Sequence, residues 1–245
     1  MIKVLRYAWA VYFLICFILF FLIFYPAFVI LLAKESRYPA AHKLRRIWGR
    51  IIMFISGLRP STTYEEKLDP NKTYIFTPNH FSYLDILSAN VQMPFYFNFM
   101  AKSELGKIPL FKVFFNTIDI PVERSTLSGA RKALQGARER LAKGVSLLNF
   151  PEGGIGEIVP KMSRYKMGAF KLAIEQNVDI VPITIIDNWK RMPSGGLADG
   201  GSPGKMRMHV HRPIPTSNLK DGDEEMLANE VYRIIEEKFN QMNGL

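Results

Sequence analysis

The sequence predicts an α/β protein: a mixed sheet with covering helices, preceded by N-terminal membrane-embedded and amphipathic helices. Three observations carry this expectation. The stretch from Tyr7 to Ala33 holds 27 residues without a charged side chain. A second helical pattern follows it, with apolar and basic residues at separate positions. From about residue 61 onward, short apolar strand patterns alternate with segments of helical periodicity, which is how a helix-covered sheet reads in sequence. The expected division is residues 1–60 as membrane-embedded and interfacial helices and residues 61–245 as the α/β domain.

As a helix, Tyr7–Ala33 extends about 40 Å at ~1.5 Å per residue, more than the ~30 Å hydrocarbon core of a bilayer. An apolar run this long reads as membrane-embedded rather than as a buried core helix. A cleaved signal peptide fits poorly, because its apolar region is ~7–15 residues and no small-residue cleavage pattern closes this one. Pro26 leaves one tilted span, a kinked helix and a re-entrant hairpin all open.

The net charge is +10, with Lys3 and Arg6 before the run and Lys34, Arg37, Lys43, Arg45, Arg46 and Arg50 after it. For a single span, that asymmetry puts the rest of the chain on the cytoplasmic face. No recognition motif or basic-aromatic alternation points to nucleic acid, so an anionic lipid surface is the expected partner. Cys16, the sole cysteine, lies inside the apolar run. An intrachain disulfide and a cysteine-based zinc site are therefore excluded. The histidines show no His-Glu-x-x-His spacing, and no metal is expected. His209 and His211 share one face of a strand over Met206–Arg212, where a structural role is the simpler reading.

In the second segment Leu44, Ile47, Trp48, Ile51, Ile52, Ile55 and Leu58 recur at helical spacing, with Lys43, Arg45, Arg46 and Arg50 between them. Apolar and basic faces on one helix suit the interface of an anionic membrane. Gly57 and the Arg59-Pro60 step end it. Strands are expected at Thr73–Thr77, Phe95–Phe99, Ile118–Val122, Val145–Phe150 and Ile180–Ile185. Helices are expected at Ser82–Asn90, Ser103–Phe114, Thr126–Lys143, Arg164–Gln176 and Asp223–Phe239. Gly-rich Pro193–Gly204 reads as a surface loop.

The stretch richest in chemistry is Thr77-Pro78-Asn79-His80-Phe81-Ser82-Tyr83-Leu84-Asp85. A strand hands over to a helix here, where α/β folds often place their sites. Asp85, in the first helical turn or so, can turn back toward His80. A carboxylate on one ring nitrogen fixes the imidazole tautomer and leaves the other nitrogen free as a base. Three more segments stand out: Ile120-Pro121-Val122-Glu123-Arg124 and Phe150-Pro151-Glu152-Gly153-Gly154 at strand ends, and Val181-Pro182-Ile183-Thr184-Ile185, which reads as a buried strand with an internal proline.

In this order the four segments resemble the blocks of the glycerolipid acyltransferase family, particularly its lysophosphatidic acid acyltransferases. Asn79, His80 and Asp85 match Asn-His-x-x-x-x-Asp, Arg124 matches the basic residue closing the second block, and Phe150 to Gly153 match Phe-Pro-Glu-Gly. The resemblance covers about residues 60 to 215. It implies that His80 is the general base and Asp85 its partner. The acyl group would come from an acyl thioester, acyl-CoA or acyl carrier protein, with no tightly bound cofactor. It also implies that Asn79, Lys102, Arg124, Glu152 and Gly153 bind substrate, with Arg124 and Lys102 near the acceptor phosphate. The Val181–Ile185 block would shape the core or an acyl tunnel.

One departure is Gly154-Ile155, where many members carry Thr-Arg. Lys161, Arg164 or Lys166 would have to supply the missing cation. Competing readings are O-acylation of another lysolipid, such as a lyso-aminolipid or a lysophospholipid with a larger head group, hydrolysis, and a non-catalytic membrane lipid-binding protein.

Overall fold

The computed structural model describes residues 2–123 and 125–245. The apolar run forms α1 (Ile2–Leu32), with Pro26 inside the helix. A short 3-10 turn at Glu35–Arg37 leads into α2 (Tyr38–Ile55), which starts with Pro39 in its first turn, where a missing N–H costs nothing. The two helices form an antiparallel hairpin: Trp9 Nε1 donates to the Ser56 carbonyl (3.0 Å) and the Tyr12 hydroxyl to that of Ile55 (3.1 Å). Only 17% of the most apolar window of α1 is buried, and Ile2, Val4, Leu5, Ile15, Ile23 and Ile30 all stand exposed. An unbroken apolar face on this scale marks a membrane-association element.

The remaining strands and helices are β1 (Leu58–Tyr64), β2 (Ile75–Pro78), α3 (Leu84–Gln92), β3 (Phe97–Lys102), α4 (Lys112–Phe115) and β4 (Ile120–Val122). After them come α5 (Leu127–Ala142), β5 (Ser146–Asn149), α6 (Gly168–Gln176), β6 (Ile180–Ile185), α7 (Asn188–Arg191), β7 (Gly204–Val210) and α8 (Glu224–Asn243). The seven strands form one sheet in the order β1-β7-β6-β2-β5-β3-β4. β6, β2, β5, β3 and β4 run parallel, and β7 reverses against β6 with β1 parallel to it, so the sheet is mixed as expected.

Both faces are covered. Ile75, Leu147 and Ile180 point toward α5, α6 and α8, whose Ala133, Ala137, Phe170, Leu227, Val231 and Ile235 close that layer. The neighbouring residues Phe76, Leu148 and Val181 point the other way, into a core with Ala89 and Met93. This strict alternation explains why the central strands read as continuous apolar runs: each face has its own helical layer to bury against. α1, α2, α3 and α4 add a further cluster around Phe21, Phe28, Trp48, Ile52 and Phe114.

Several local expectations need correction. Ser103–Phe114 is not one helix but a 3-10 turn (Ser103–Lys107) followed by the single turn of α4. Pro109 has no N–H to give a helix and pushes Ile108 into extended backbone (ψ 119°). The helix expected from Arg164 begins only at Gly168. Pro193–Gly204 is a surface loop that contains a 3-10 turn (Gly196–Asp199) and is tied down where Gly201 donates its N–H to the Arg6 carbonyl of α1 (3.0 Å).

Much of the apolar stripe of α2 faces the protein, with Ala41, Trp48, Ile52 and Met53 buried. Its partners are α1 and α3, and Pro39, Ala40, Lys43, Ile47, Arg50 and Phe54 are its exposed residues. β1 has no counterpart in the sequence reading. It is an edge strand with one buried residue and a proline, so it lacks alternation and tolerates Pro60. The division expected at residue 60 falls inside it.

Candidate active site

β2 ends at Pro78, and the four residues before Tyr83 turn the chain into α3. Asn79 continues the ladder with its side chain: its amide accepts from the Ile185 N–H (2.7 Å) and donates to the Ile185 carbonyl (3.1 Å). That clamp holds the turn against β6 just past the last backbone pair, Pro78 with Ile183. Ser82 fixes the other end, its hydroxyl donating to the Met192 carbonyl (2.7 Å) and accepting from the Leu84 N–H (3.1 Å).

Between these anchors, His80 Nδ1 lies 3.0 Å from Asp85 Oδ2. The same oxygen accepts from the backbone N–H groups of Phe81 (2.7 Å) and Ser82 (2.8 Å). Asp85 Oδ1 accepts from Asn188 Nδ2 (2.8 Å). Four donors therefore converge on a fully buried carboxylate, which is the fate a buried acid requires. An acceptor-only carboxylate assigns the proton to His80 Nδ1 and leaves Nε2 as the basic nitrogen. The ring of Phe150 stacks on the imidazole at 4.1 Å between centroids and fixes its tilt. Among the described residues, no hydrogen bond to Nε2 is made.

His80 opens onto a cavity of about 1160 Å³ that runs between α1, α2, α3 and α4. Its walls are largely apolar (Phe13, Phe17, Phe21, Trp48, Leu87 and Phe111), while Gly153 to Glu157 and Gly195 to Ala198 also line it. The Arg45–Asp119 ion pair forms part of its lining.

The structure departs from the sequence expectation at two of the substrate-binding residues. The Asn79 side chain is spent on β6 and is wholly buried. Glu152 is also buried, and its two oxygens accept the N–H groups of His80 (2.7 Å) and Ser163 (2.8 Å). Both side chains hold the turn that carries His80, and neither lines the cavity. Gly153 does line the cavity, at a φ of 84° that favours glycine. Lys102 lines it too, at the end of β3, in an exposed pair with Glu104 (3.4 Å) that costs little to exchange. Arg124 lies outside the described residues. Of the downstream cations, Arg164 pairs with Glu225 at the surface, and Lys161 and Lys166 are exposed.

Asn188 is the residue that sequence reasoning missed. It lies 103 positions from Asp85 and reaches it only because β6 ends beside β2. The available signal was its place just past the C-terminal end of a buried strand, the same position logic that singled out His80.

Burial raises the Glu152 carboxyl to about 7, against the opposing pull of the Ser163 and His80 N–H groups and with help from the Asp85 charge. A carboxyl whose folded value lies above its ordinary 4.5 binds more protons folded than unfolded. Its contribution to stability is present below pH 4.5 and is lost as pH rises through about 7, a fall on the order of 3 kcal/mol. Unfolding free energies measured across that range should show this slope in the wild type and a flatter profile in Glu152→Gln. Parallel profiles would refute it.

The site is thus a carboxylate-held histidine at a strand tip, above an apolar cavity, on a mixed α/β sheet. The acyltransferase family model matches residues 59–186, just over half of the chain, and the protein belongs to that family. A Chlamydomonas reinhardtii 1-acyl-sn-glycerol-3-phosphate acyltransferase is 30% identical over 82% of this chain and 62% of its own length. The chloroplastic Arabidopsis thaliana enzyme of the same name is 28% identical over 86% of this chain and 57% of its own. A probable 1-acyl-sn-glycerol-3-phosphate acyltransferase from Mycoplasma pneumoniae is 25% identical over 88% and 89%. The chain thus spans about three-fifths of the length of the algal and plant relatives. In fold it is similar to the crystal structure of the Thermotoga maritima 1-acyl-sn-glycerophosphate acyltransferase PlsC (TM-score 0.79, 21% identity, 99% of this chain and 97% of the other).

Proposed function

We propose that this protein transfers a fatty acyl group from an acyl thioester, acyl-CoA or acyl carrier protein, to the free hydroxyl of lysophosphatidic acid, giving phosphatidic acid. The observation that carries the proposal is the His80–Asp85 pair at the edge of an apolar cavity lined by α1 and α2.

His80 Nε2 takes the proton of the acceptor hydroxyl as that oxygen attacks the thioester carbonyl. The new C–O bond forms, the C–S bond breaks, and the departing thiolate regains the proton from the imidazolium. Asp85 holds the ring in the tautomer this needs, and Asn188 and the Phe81 and Ser82 N–H groups hold Asp85. No acyl-enzyme is required. Lys102, together with Arg124 from the family resemblance, would meet the acceptor phosphate as cations. The catalytic domain would sit on the cytoplasmic face, because the basic residues cluster after α1.

Detergent-purified protein given oleoyl-CoA and lysophosphatidic acid is expected to release thiol only when the acceptor is present. Release with another lysolipid alone would transfer the proposal to that acceptor. Thiol release that ignores every acceptor would make the protein a hydrolase and end the proposal.

A further inference from the structure

Beside the catalytic turn, two strands across from β2, lies a cluster that acyl transfer does not use. Tyr64 pairs with Val210, so Glu65 extends the β1–β7 register and falls next to His211. With period-two alternation, Thr63, Glu65, His209 and His211 share one face of the sheet. Glu65 Oε1 lies 3.0 Å from His209 Nε2 and 3.0 Å from His211 Nδ1. The three atoms lie within 4.8 Å of one another.

The surrounding contacts are those of a built site. The far nitrogen of His209, Nδ1, is 2.7 Å from the Thr63 hydroxyl, and that of His211, Nε2, is 2.8 Å from the Thr184 hydroxyl. Each ring is thus fixed from behind with its other nitrogen turned inward, the support that metal-binding histidines ordinarily have. The second Glu65 oxygen accepts the Arg212 N–H (3.1 Å), which aims the first. Both imidazoles are buried while Glu65 is open to solvent, giving an ion a way in.

We propose that Glu65, His209 and His211 form a binding site for a divalent transition metal, with zinc the best match. Two imidazoles and one carboxylate suit zinc better than magnesium or calcium, which prefer all-oxygen shells. Three protein ligands leave a fourth, tetrahedral position for water. All three ligands come from β1 and β7 or the residues just after them, so the ion ties the edge strand to its neighbour. Neither His80 nor Asp85 is among them, so the ion sits apart from the residues proposed for acyl transfer. The sequence reading expected no metal because the third ligand is 144 residues away from His209.

The test uses the full chain in detergent, stripped with a chelator and titrated with zinc chloride by calorimetry. One equivalent should bind and raise the unfolding temperature, and cobalt(II) in its place should give the intense visible bands of a four-coordinate site. Uptake should be lost in His209→Ala and Glu65→Gln. Thr63→Val keeps all three ligands, so it should retain the stoichiometry and weaken affinity about 10- to 100-fold. If the wild type takes up no stoichiometric zinc, the cluster is a hydrogen-bonded carboxylate–imidazole network only and the proposal is overturned. Equal affinity in His209→Ala and Glu65→Gln overturns it as well.

Discussion

His80→Ala is expected to lower acceptor-dependent thiol release by on the order of 10²–10⁴-fold, the usual worth of a positioned general base. The unfolding temperature should change little, because the imidazole leaves no deep core packing behind it beyond its stack on Phe150. Asp85→Asn should cost a comparable factor by a different route. An amide in place of the carboxylate sets an NH₂ group against donors that now converge on oxygen: His80 Nδ1, the Phe81 and Ser82 N–H groups, and Asn188 Nδ2. The tautomer that keeps Nε2 basic is then no longer enforced. Steady-state assays of both variants, with circular dichroism to confirm folding, decide the matter. A folded His80→Ala enzyme with near wild-type turnover would remove His80 from the chemistry.

The second large effect concerns stability. Arg45 and Asp119 form an ion pair of 2.8 Å with both side chains only 7% exposed. Arg45 Nε also donates to Asn90 Oδ1 (3.1 Å), and Asp119 Oδ1 accepts the Phe99 N–H (3.1 Å). The guanidinium lies over the rings of Phe99 and Phe114, at 5.1 and 5.4 Å from their centroids. His42, driven well below its ordinary value by burial and by the neighbouring Arg45 charge, stays neutral and faces Arg45 through Nδ1 at 3.2 Å.

Removing one partner strands the other charge beside an apolar cavity. Arg45→Ala or Asp119→Ala is therefore expected to destabilise the fold by about 3–5 kcal/mol. The double replacement Arg45→Met with Asp119→Leu should recover most of that loss, because apolar side chains of similar size need no partner. Denaturant unfolding of the three variants tests this. Single variants within about 1 kcal/mol of wild type would show that water reaches the pair and screens it.

Much of this protein is legible in its sequence, and the legible parts share one property. They depend on residues close together in the chain. The unbroken apolar run of α1 needs no partner to declare itself, because its length alone exceeds what a soluble core helix uses. β6 was read with its true boundaries, since a strand buried on both faces is apolar at nearly every position. His80 and Asp85 meet across five residues of a strand-to-helix turn, a distance that local backbone geometry already fixes.

Pairing across the sheet decided the rest. Asn188 reaches Asp85 only because β6 lies beside β2, and Glu65 reaches His209 and His211 only because β1 lies beside β7. Asn79 and Glu152 read as substrate ligands in a motif, yet the folded chain uses both to satisfy backbone N–H or C=O groups left open where strands end. α2 carries the pattern of an interfacial helix, but α1 and α3 cover its apolar stripe, and a periodicity records that a face must be buried without recording against what. Sequence determined most of the elements and the meeting of His80 with Asp85, because those follow from local sterics and periodicity. Tertiary structure alone assigned each polar group its partner, because a hydrogen bond is allotted by which donors and acceptors the assembled sheet leaves unmet.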